Sequence, residues 1–346
     1  RGILLWASDQ DADYNSLKPE DDKIALADFN RDGIPEVYVN NKIFNAVTGK
    51  KLADGGMNGI GRERTSSFTV SSISIAAQLD QDTSDLELAA GYSVYKVKII
   101  NPNGTLGNSM TPTNIQINGV NRDGFTSVAD INNDGQLDVV VTSPGKYPKG
   151  VIYAYHIKNG AAQILAKINP LSNFDYIGVA VIGDLDNSKI PLIIVPRSEV
   201  LTAYKYDGTN NLVNVWDFAN TDNSGATGST IFDLNGDGKF EIIFRDETEL
   251  KIIDGTTNIP KILAKIICFS GTLLEYPIII NNDLLNQAKI CIPCGDFQKD
   301  ILGHLTVFGP PDSLPWAPAR SVWNQYAYNP LQINDDLTVP RYQKNQ

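Results

Sequence analysis

The sequence predicts an all-β fold, a β-propeller of four-stranded blades, on three observations. An acidic nonapeptide, D-x-N-x-D-G-x-x-[DE], occurs three times intact and three more times in degraded form. The six copies start at residues 28, 80, 130, 184, 233 and 281, at spacings of 48 to 54 residues. Short β-branched runs flank the copies, and helical periodicity is nowhere sustained. A repeat of about 50 residues holding four short strands is the size of one propeller blade. A length of 346 residues alone suggests two domains, but the near-constant period favours one radial array.

The strands follow in order within each repeat. A first apolar run enters the acidic loop, as at residues 23–27, 126–129 and 229–232. A second leaves it, as at 36–39 and 138–141, and a third, often with tyrosine, occupies 93–97, 151–155 and 200–204. Turns at Asn159-Gly160, Asp207-Gly208 and Asp254-Gly255 lead to a weaker fourth strand such as 212–216. Six blades are read over residues 1–310, with 311–346 as a closing segment or linker to further domains. The apolar run 2–6 has the character of a detached fourth strand, which predicts Velcro-type closure of the last blade. A seventh blade from 309–346 plus the N-terminus is the rival arrangement.

The acidic loops carry the chemistry. Side chains at positions 1, 3 and 5 converge as the chain turns, and glycine at position 6 permits the bend. The position 7 carbonyl and the position 9 acid complete an all-oxygen set suited to Ca²⁺. The three full sets are Asp28, Asn30, Asp32, Ile34 and Glu36; Asp130, Asn132, Asp134, Gln136 and Asp138; and Asp233, Asn235, Asp237, Lys239 and Glu241. A plain turn is a poor rival, because three carboxylates within roughly 4 Å repel by several kcal/mol at an effective dielectric near 20. Two weaker sets are Asp80, Asp82, Ser84 and Glu87, one residue short, and Asp184, Asp186 and Ser188, closed by Leu192 instead of an acid. In the sixth loop Leu285 and Lys289 replace ligands, so Lys289 is expected to stand in for the cation beside Asp283.

Composition excludes several function classes. With 29 Lys+Arg against 40 Asp+Glu and a net charge of -11, the chain lacks the basic balance of a nucleic-acid binder. No apolar run approaches the roughly 18 residues of a membrane-spanning helix. Two histidines, His156 and His304, cannot make a His-rich zinc site, and both read as structural. No G-x-S-x-G, Walker or Rossmann pattern occurs, and the glycines from Gly55 to Gly61 read as a loop. Cys268, Cys291 and Cys294 are expected to be buried thiols, with a disulfide between Cys268 and either partner as the alternative. The chain begins at Arg1 without Met, as a piece of a longer precursor would.

The three intact loops resemble the FG-GAP/VCBS repeats, calcium-loop propeller repeats also found in integrin α-subunit heads. A second, local likeness covers Trp316 to Arg320, Val322 to Gln325 and Asn334 to Pro340. That stretch is similar to the segment following such propellers in large secreted surface proteins of Bacteroidetes-type bacteria. The resemblance implies an extracellular, secreted or surface-attached protein. The expected function is a calcium-stabilised binding or adhesion module recognising glycan or protein, or contacting other domains of its own chain. A calcium-dependent polysaccharide lyase or glycosidase and a structural spacer are the alternatives, with no catalytic residues assigned. Tyr92, Tyr95, Tyr147, Tyr153 and Trp216 are candidate ligand contacts, or packing between blades.

Overall fold

A computed structural model describes residues 2–8, 22–62, 71–146, 149–168, 176–271, 275–282, 285–296, 301–311, 314–323, 325–326 and 330–343. Its strands form six antiparallel sheets, each built from consecutive segments. The first holds β1 (Ile24–Ala27), β2 (Glu36–Val39), β3 (Lys42–Asn45) and β4 (Lys51–Asp54); the second β5 (Ile75–Ala77), β6 (Glu87–Ala90), β7 (Ser93–Lys98) and β8 (Ser109–Asn114). The third holds β9 (Phe125–Ala129), β10 (Asp138–Lys146), β11 (Lys149–Lys158) and β12 (Ala161–Lys167). The fourth holds β13 (Val181–Gly183), β14 (Leu192–Arg197), β15 (Val200–Tyr206) and β16 (Leu212–Ala219). The fifth holds β17 (Ser229–Phe232), β18 (Glu241–Arg245), β19 (Glu249–Asp254) and β20 (Lys261–Ile267). The sixth has three strands, β21 (Ile278–Ile280), β22 (Lys289–Asp296) and β23 (Ile301–Phe308).

Apolar cores lie between neighbouring sheets, an arrangement consistent with blades of a β-propeller. Ala25, Tyr38 and Ile43 of the first sheet pack with Ala76, Leu88 and Tyr95 of the second. Equivalent clusters join the second sheet to the third, the third to the fourth, the fourth to the fifth and the fifth to the sixth. The leading strands β5, β9, β13, β17 and β21 touch one another in turn. Being covered on both faces, β18 is buried at every residue and β14 at all but its first. This explains why these second strands are continuous apolar runs, whereas β2 alternates between buried and half-buried residues. Fourth strands are peripheral, and β20 is exposed along its whole length.

One expectation fails here, and for the cysteines the alternative holds. Residues 2–8 form no strand, so the sixth sheet keeps three strands among the described residues. The Trp6 indole instead donates to the Ala46 carbonyl at 3.1 Å. Its ring lies 2.4 Å from where a Cβ on Gly49 would stand, a close approach only glycine allows there. Of the two readings of the cysteines, the disulfide is the one found: Cys268 and Cys294 are bonded, and Cys291 is free and buried. Cys268 follows β20 and Cys294 sits in β22, so the bond staples the fifth sheet to the sixth. Reduction, or Cys268→Ser, should cost about 3 kcal/mol for a closed loop of this size, read as a lower urea midpoint.

The C-terminal segment bridges the last sheets to the first two. Ala317 N–H donates to the Leu234 carbonyl, Ala288 N–H to the Ala317 carbonyl and Asn281 N–H to the Arg320 carbonyl, engaging the fifth and sixth repeats. Farther along, the Gln325 side chain accepts from Leu26 N–H at 3.4 Å in the first sheet. Gln332 donates to the Ala76 carbonyl in the second sheet and accepts from Gln325 at 2.8 Å. Arg341 donates to the Arg31 carbonyl at 2.8 Å. Among the described residues this segment contains a short 3-10 helix, Pro330–Gln332, and no strand of a seventh blade.

Candidate acidic-loop site

Three loops repeat one hydrogen-bond pattern. Asp28 accepts from Asp32 N–H at 3.1 Å and Gly33 N–H at 2.8 Å. Asp130 accepts from Asp134 N–H at 3.1 Å and Gly135 N–H at 2.8 Å, and Asp233 from Asp237 N–H at 3.2 Å and Gly238 N–H at 2.9 Å. The position 3 carbonyls of Asn30, Asn132 and Asn235 accept from the same position 5 amides at 3.1, 2.8 and 2.8 Å. Side chains 1 and 3 therefore meet at one point, as the spacing requires. The carboxylates of Asp32, Asp134 and Asp237 accept from the position 7 amides of Ile34, Gln136 and Lys239 at 2.7, 2.9 and 2.9 Å.

The closing acids are the buried part of each loop. Glu36, Asp138 and Glu241 begin β2, β10 and β18 and are 5%, 0% and 6% exposed. One oxygen of each accepts from the position 2 amide, from Phe29 at 2.9 Å, Ile131 at 3.0 Å and Leu234 at 2.8 Å. The other oxygen of Asp138 is buried without a hydrogen-bond partner, as is one oxygen of Glu87 in the second loop. His156 Nδ1 lies 3.7 Å from that Asp138 oxygen, too far for a hydrogen bond. Burial first, then the charges of Asp28 and Asp32, push Glu36 up to about 8. Burial and the neighbouring loop acids push Asp138 to about 7, and Glu87 likewise to about 7. Among the described residues no three Asp, Glu, His or Cys side chains gather into a ready-made metal cluster. The position 5 carboxylates are drawn to the backbone amides and to the position 3 amide groups.

The degenerate loops separate into two kinds. The loop at Asp184 keeps the shared backbone turn: Asn187 and Lys189 have φ of 60° and 63°, matching Asn133 and Gly135 at 58° and 86°. Asp184 still accepts from Ser188 N–H at 3.1 Å, Asp186 from the same amide at 3.2 Å, and Ser188 from Ile190 N–H at 3.3 Å. The shorter loop has no left-handed residue, and Asp80 accepts from Asp82 N–H at 2.7 Å while Asp82 accepts from Ser84. Lys96 places its ammonium 2.8 Å from Asp82 and 3.9 Å from Asp80, and that hydrogen bond holds Asp82 below the usual carboxylate range. A built-in cation thus stands in the second loop, where none was expected. Asp283 lies outside the described residues, and Lys289 starts β22 with its stem against Gly309.

Position 4 has a role that the ligand pattern does not reveal. Asn133 donates to the Lys189 carbonyl at 2.6 Å, and Asn187 to the Gly238 carbonyl at 2.5 Å, each reaching from its loop to the next. Arg31 reaches the Thr83 and Asp85 carbonyls of the second loop and stacks on Tyr342. Asparagine tolerates the left-handed conformation these positions adopt, which was the available signal. Asn187→Gly should cost about 1 kcal/mol by losing the bond alone, and Asn187→Ala more through added backbone strain, both read in urea unfolding.

The aromatic candidates belong to packing. Tyr92, Tyr95, Tyr153 and Trp216 are all buried. Tyr95 donates to the Gly59 carbonyl at 2.7 Å, Tyr153 to Arg122 at 2.5 Å and Trp216 to Gly255 at 3.0 Å. Each ring fills a space between sheets and turns its polar tip to a backbone carbonyl. Tyr147 lies outside the described residues.

Comparison with known proteins agrees with this architecture. Residues 124–155, which span the third acidic loop and its strands, match the family model described as FG-GAP repeat. The structure is similar to the crystal structure of the V. cholerae biofilm matrix protein Bap1, with a TM-score of 0.63 at 18% identity, covering 93% of this chain and 74% of that one. It also aligns with BBS1N from its complex with ARL6DN, at a TM-score of 0.46 and 13% identity over 79% and 77% of the two chains. No curated protein matches in sequence. Residues 124–155 thus match an FG-GAP repeat, and the loop within them recurs between the first two strands of other sheets in an all-β architecture consistent with a β-propeller.

Proposed function

We propose that the protein is a calcium-stabilised binding or adhesion module of a secreted or cell-surface protein, built as one six-bladed ring over residues 1–310 and closed by 311–346. The recurring loop geometry carries this reading. In each full loop, Asp28, Asp130 or Asp233 and its partners at positions 3, 5, 7 and 9 would hold one Ca²⁺ through oxygen alone. The fit is supported by the buried, unpartnered oxygen of Asp138 and by closing acids that burial and the neighbouring loop carboxylates push upward. Bound calcium would supply that charge. The similarity to a biofilm matrix protein and the disulfide, which suits an oxidising compartment, support an extracellular site of action. Partners on this reading are glycan, protein or other domains of the same surface protein, with no nucleic acid and no membrane insertion.

Retention of the purified protein on glycan arrays and on bacterial surfaces, with calcium and with chelator, tests the reading. Calcium-dependent retention is expected; retention on neither would overturn adhesion.

Proton linkage gives a second check. A carboxyl raised in the folded state binds its proton more tightly there than in the unfolded chain. Its contribution is complete below the unfolded value and lost as pH rises through the folded one. For Glu36, with an ordinary value of 4.5 and a folded value of about 8, the window runs between those limits. The metal-free protein should therefore melt at lower temperature near pH 8 than near pH 5, by the sign of this linkage. Calcium should flatten or reverse that slope, because it competes with protons for the same oxygens.

A further inference from the structure

The sixth sheet meets the C-terminal segment around an open cavity of about 450 Å³, lined by Glu275, Tyr276, Pro293, Trp323, Gln325 and Tyr326. None of these belongs to an acidic loop, and all lie outside the FG-GAP match at 124–155. The volume falls within the range of small-ligand sites.

Its walls are fixed from behind. The Tyr276 ring lies 2.2 Å from where a Cβ on Gly228 would stand, so Gly228 is what lets the ring enter. Tyr276 packs on Tyr326 at 5.3 Å and on Trp323 at 6.1 Å between ring centres. Arg245, 1% exposed, puts Nη2 3.2 Å from Glu275 Oε1 and donates to the Pro293 carbonyl. Ser270 donates to the same Glu275 oxygen at 3.1 Å, and the Cys268–Cys294 disulfide braces the adjoining strand. Glu275 Oε2 is buried without a hydrogen-bond partner. Leaving such an acceptor unmatched is costly, and a small turn of the partly exposed Glu275 side chain would bring it to a ligand's donor.

The charges select the ligand class. Arg245 already neutralises Glu275, and Lys23 already holds its ammonium 4.6 Å over the Tyr326 ring. A further cation would meet those positive groups, and an anion would meet the carboxylate. A neutral ring with an apolar C–H face and hydroxyl donors suits both the aromatic wall and the orphaned oxygen. We propose that this cavity binds one pyranose unit of a glycan, packed on Trp323, Tyr276 and Tyr326 with a hydroxyl donating to Glu275. The proposal rests on the adhesion reading in taking glycan as ligand, and adds where the glycan is held.

The test uses the full chain in calcium buffer with fluorotryptophan incorporated, and fluorine NMR with the Trp323 resonance assigned through Trp323→Phe. Methyl glycosides of glucose, galactose, mannose and N-acetylglucosamine are titrated in turn, with tetramethylammonium as the cationic probe. At least one glycoside should shift the Trp323 resonance saturably at millimolar concentration. Trp323→Ala should weaken its binding about tenfold and Trp323→Phe less, with affinity of both followed by saturation-transfer NMR on the glycoside. Phe keeps the ring if the Ala variant fails to fold. The proposal is overturned if no glycoside moves that resonance up to about 50 mM, or if tetramethylammonium alone does. It is also overturned if Trp323→Ala folds and binds unchanged. Calcium-dependent surface retention alongside a glycoside-silent cavity would sink this site and leave adhesion standing; absence of retention would sink adhesion itself.

Discussion

Deleting residues 314–346 should destabilise the protein by at least about 5 kcal/mol, a loss comparable to the whole stability of many domains. Among the described residues no apolar cluster joins the first sheet to the sixth, so the link between them depends on this segment. Val322 and Ile333 are buried, and Trp316 and Ala319 pack onto the core between the fifth and sixth sheets. Burial of side chains this size contributes roughly 1.5–3 kcal/mol each. Gln325 and Gln332 add a buried amide pair that answers Leu26 N–H and the Ala76 carbonyl. Removal exposes the inner strands β1 and β5 as well. Circular dichroism and urea unfolding should show a truncated chain with a broad, early transition. An unchanged midpoint would contradict closure by this segment. Gln332→Ala should cost a smaller amount, about 1–3 kcal/mol, because it strands a buried partner.

The second large effect is expected from calcium. With affinities of about 10⁻⁴ M, ordinary for extracellular modules, about 2 mM calcium stabilises each site by nearly 2 kcal/mol. Three sites together give about 5 kcal/mol. Asp138→Ala should remove one share of this calcium response while leaving the other two loops responsive. It also removes the buried carboxylate whose spare oxygen lacks a partner, so the metal-free form should lose less than the calcium form. Asp82→Ala should leave the calcium response unchanged, since Lys96 already compensates the second loop. Isothermal calorimetry on the two variants separates these outcomes.

How much of this was legible follows from where the information lies. Period, strand order and loop chemistry are local, so the strands at 36–39 and 229–232 match β2 and β17 residue for residue. The buried closing acids follow from the same spacing, because position 9 must begin a strand sandwiched between sheets. Contacts between distant segments were not legible. Residues 2–6 have strand composition, yet Trp6 finds the Asn45–Gly49 turn instead of β23. The polar tail 311–346 carries little apolar periodicity, and its hold on the first two repeats comes from Gln325, Gln332 and Arg341 meeting backbone groups far away in sequence. Lys96, 16 residues beyond Asp80 in the next strand but one, could be placed over the loop only once β7 was aligned with β6. The aromatic cavity is likewise a product of three separate segments.

Calcium binding by the full loops is the central claim, and thermal melting of the intact protein with excess calcium and with excess chelator tests it most directly. A melting temperature higher in calcium by roughly 5 °C or more is predicted for a chain of this size, with magnesium giving a smaller shift. Superimposable melts in calcium and chelator would contradict it.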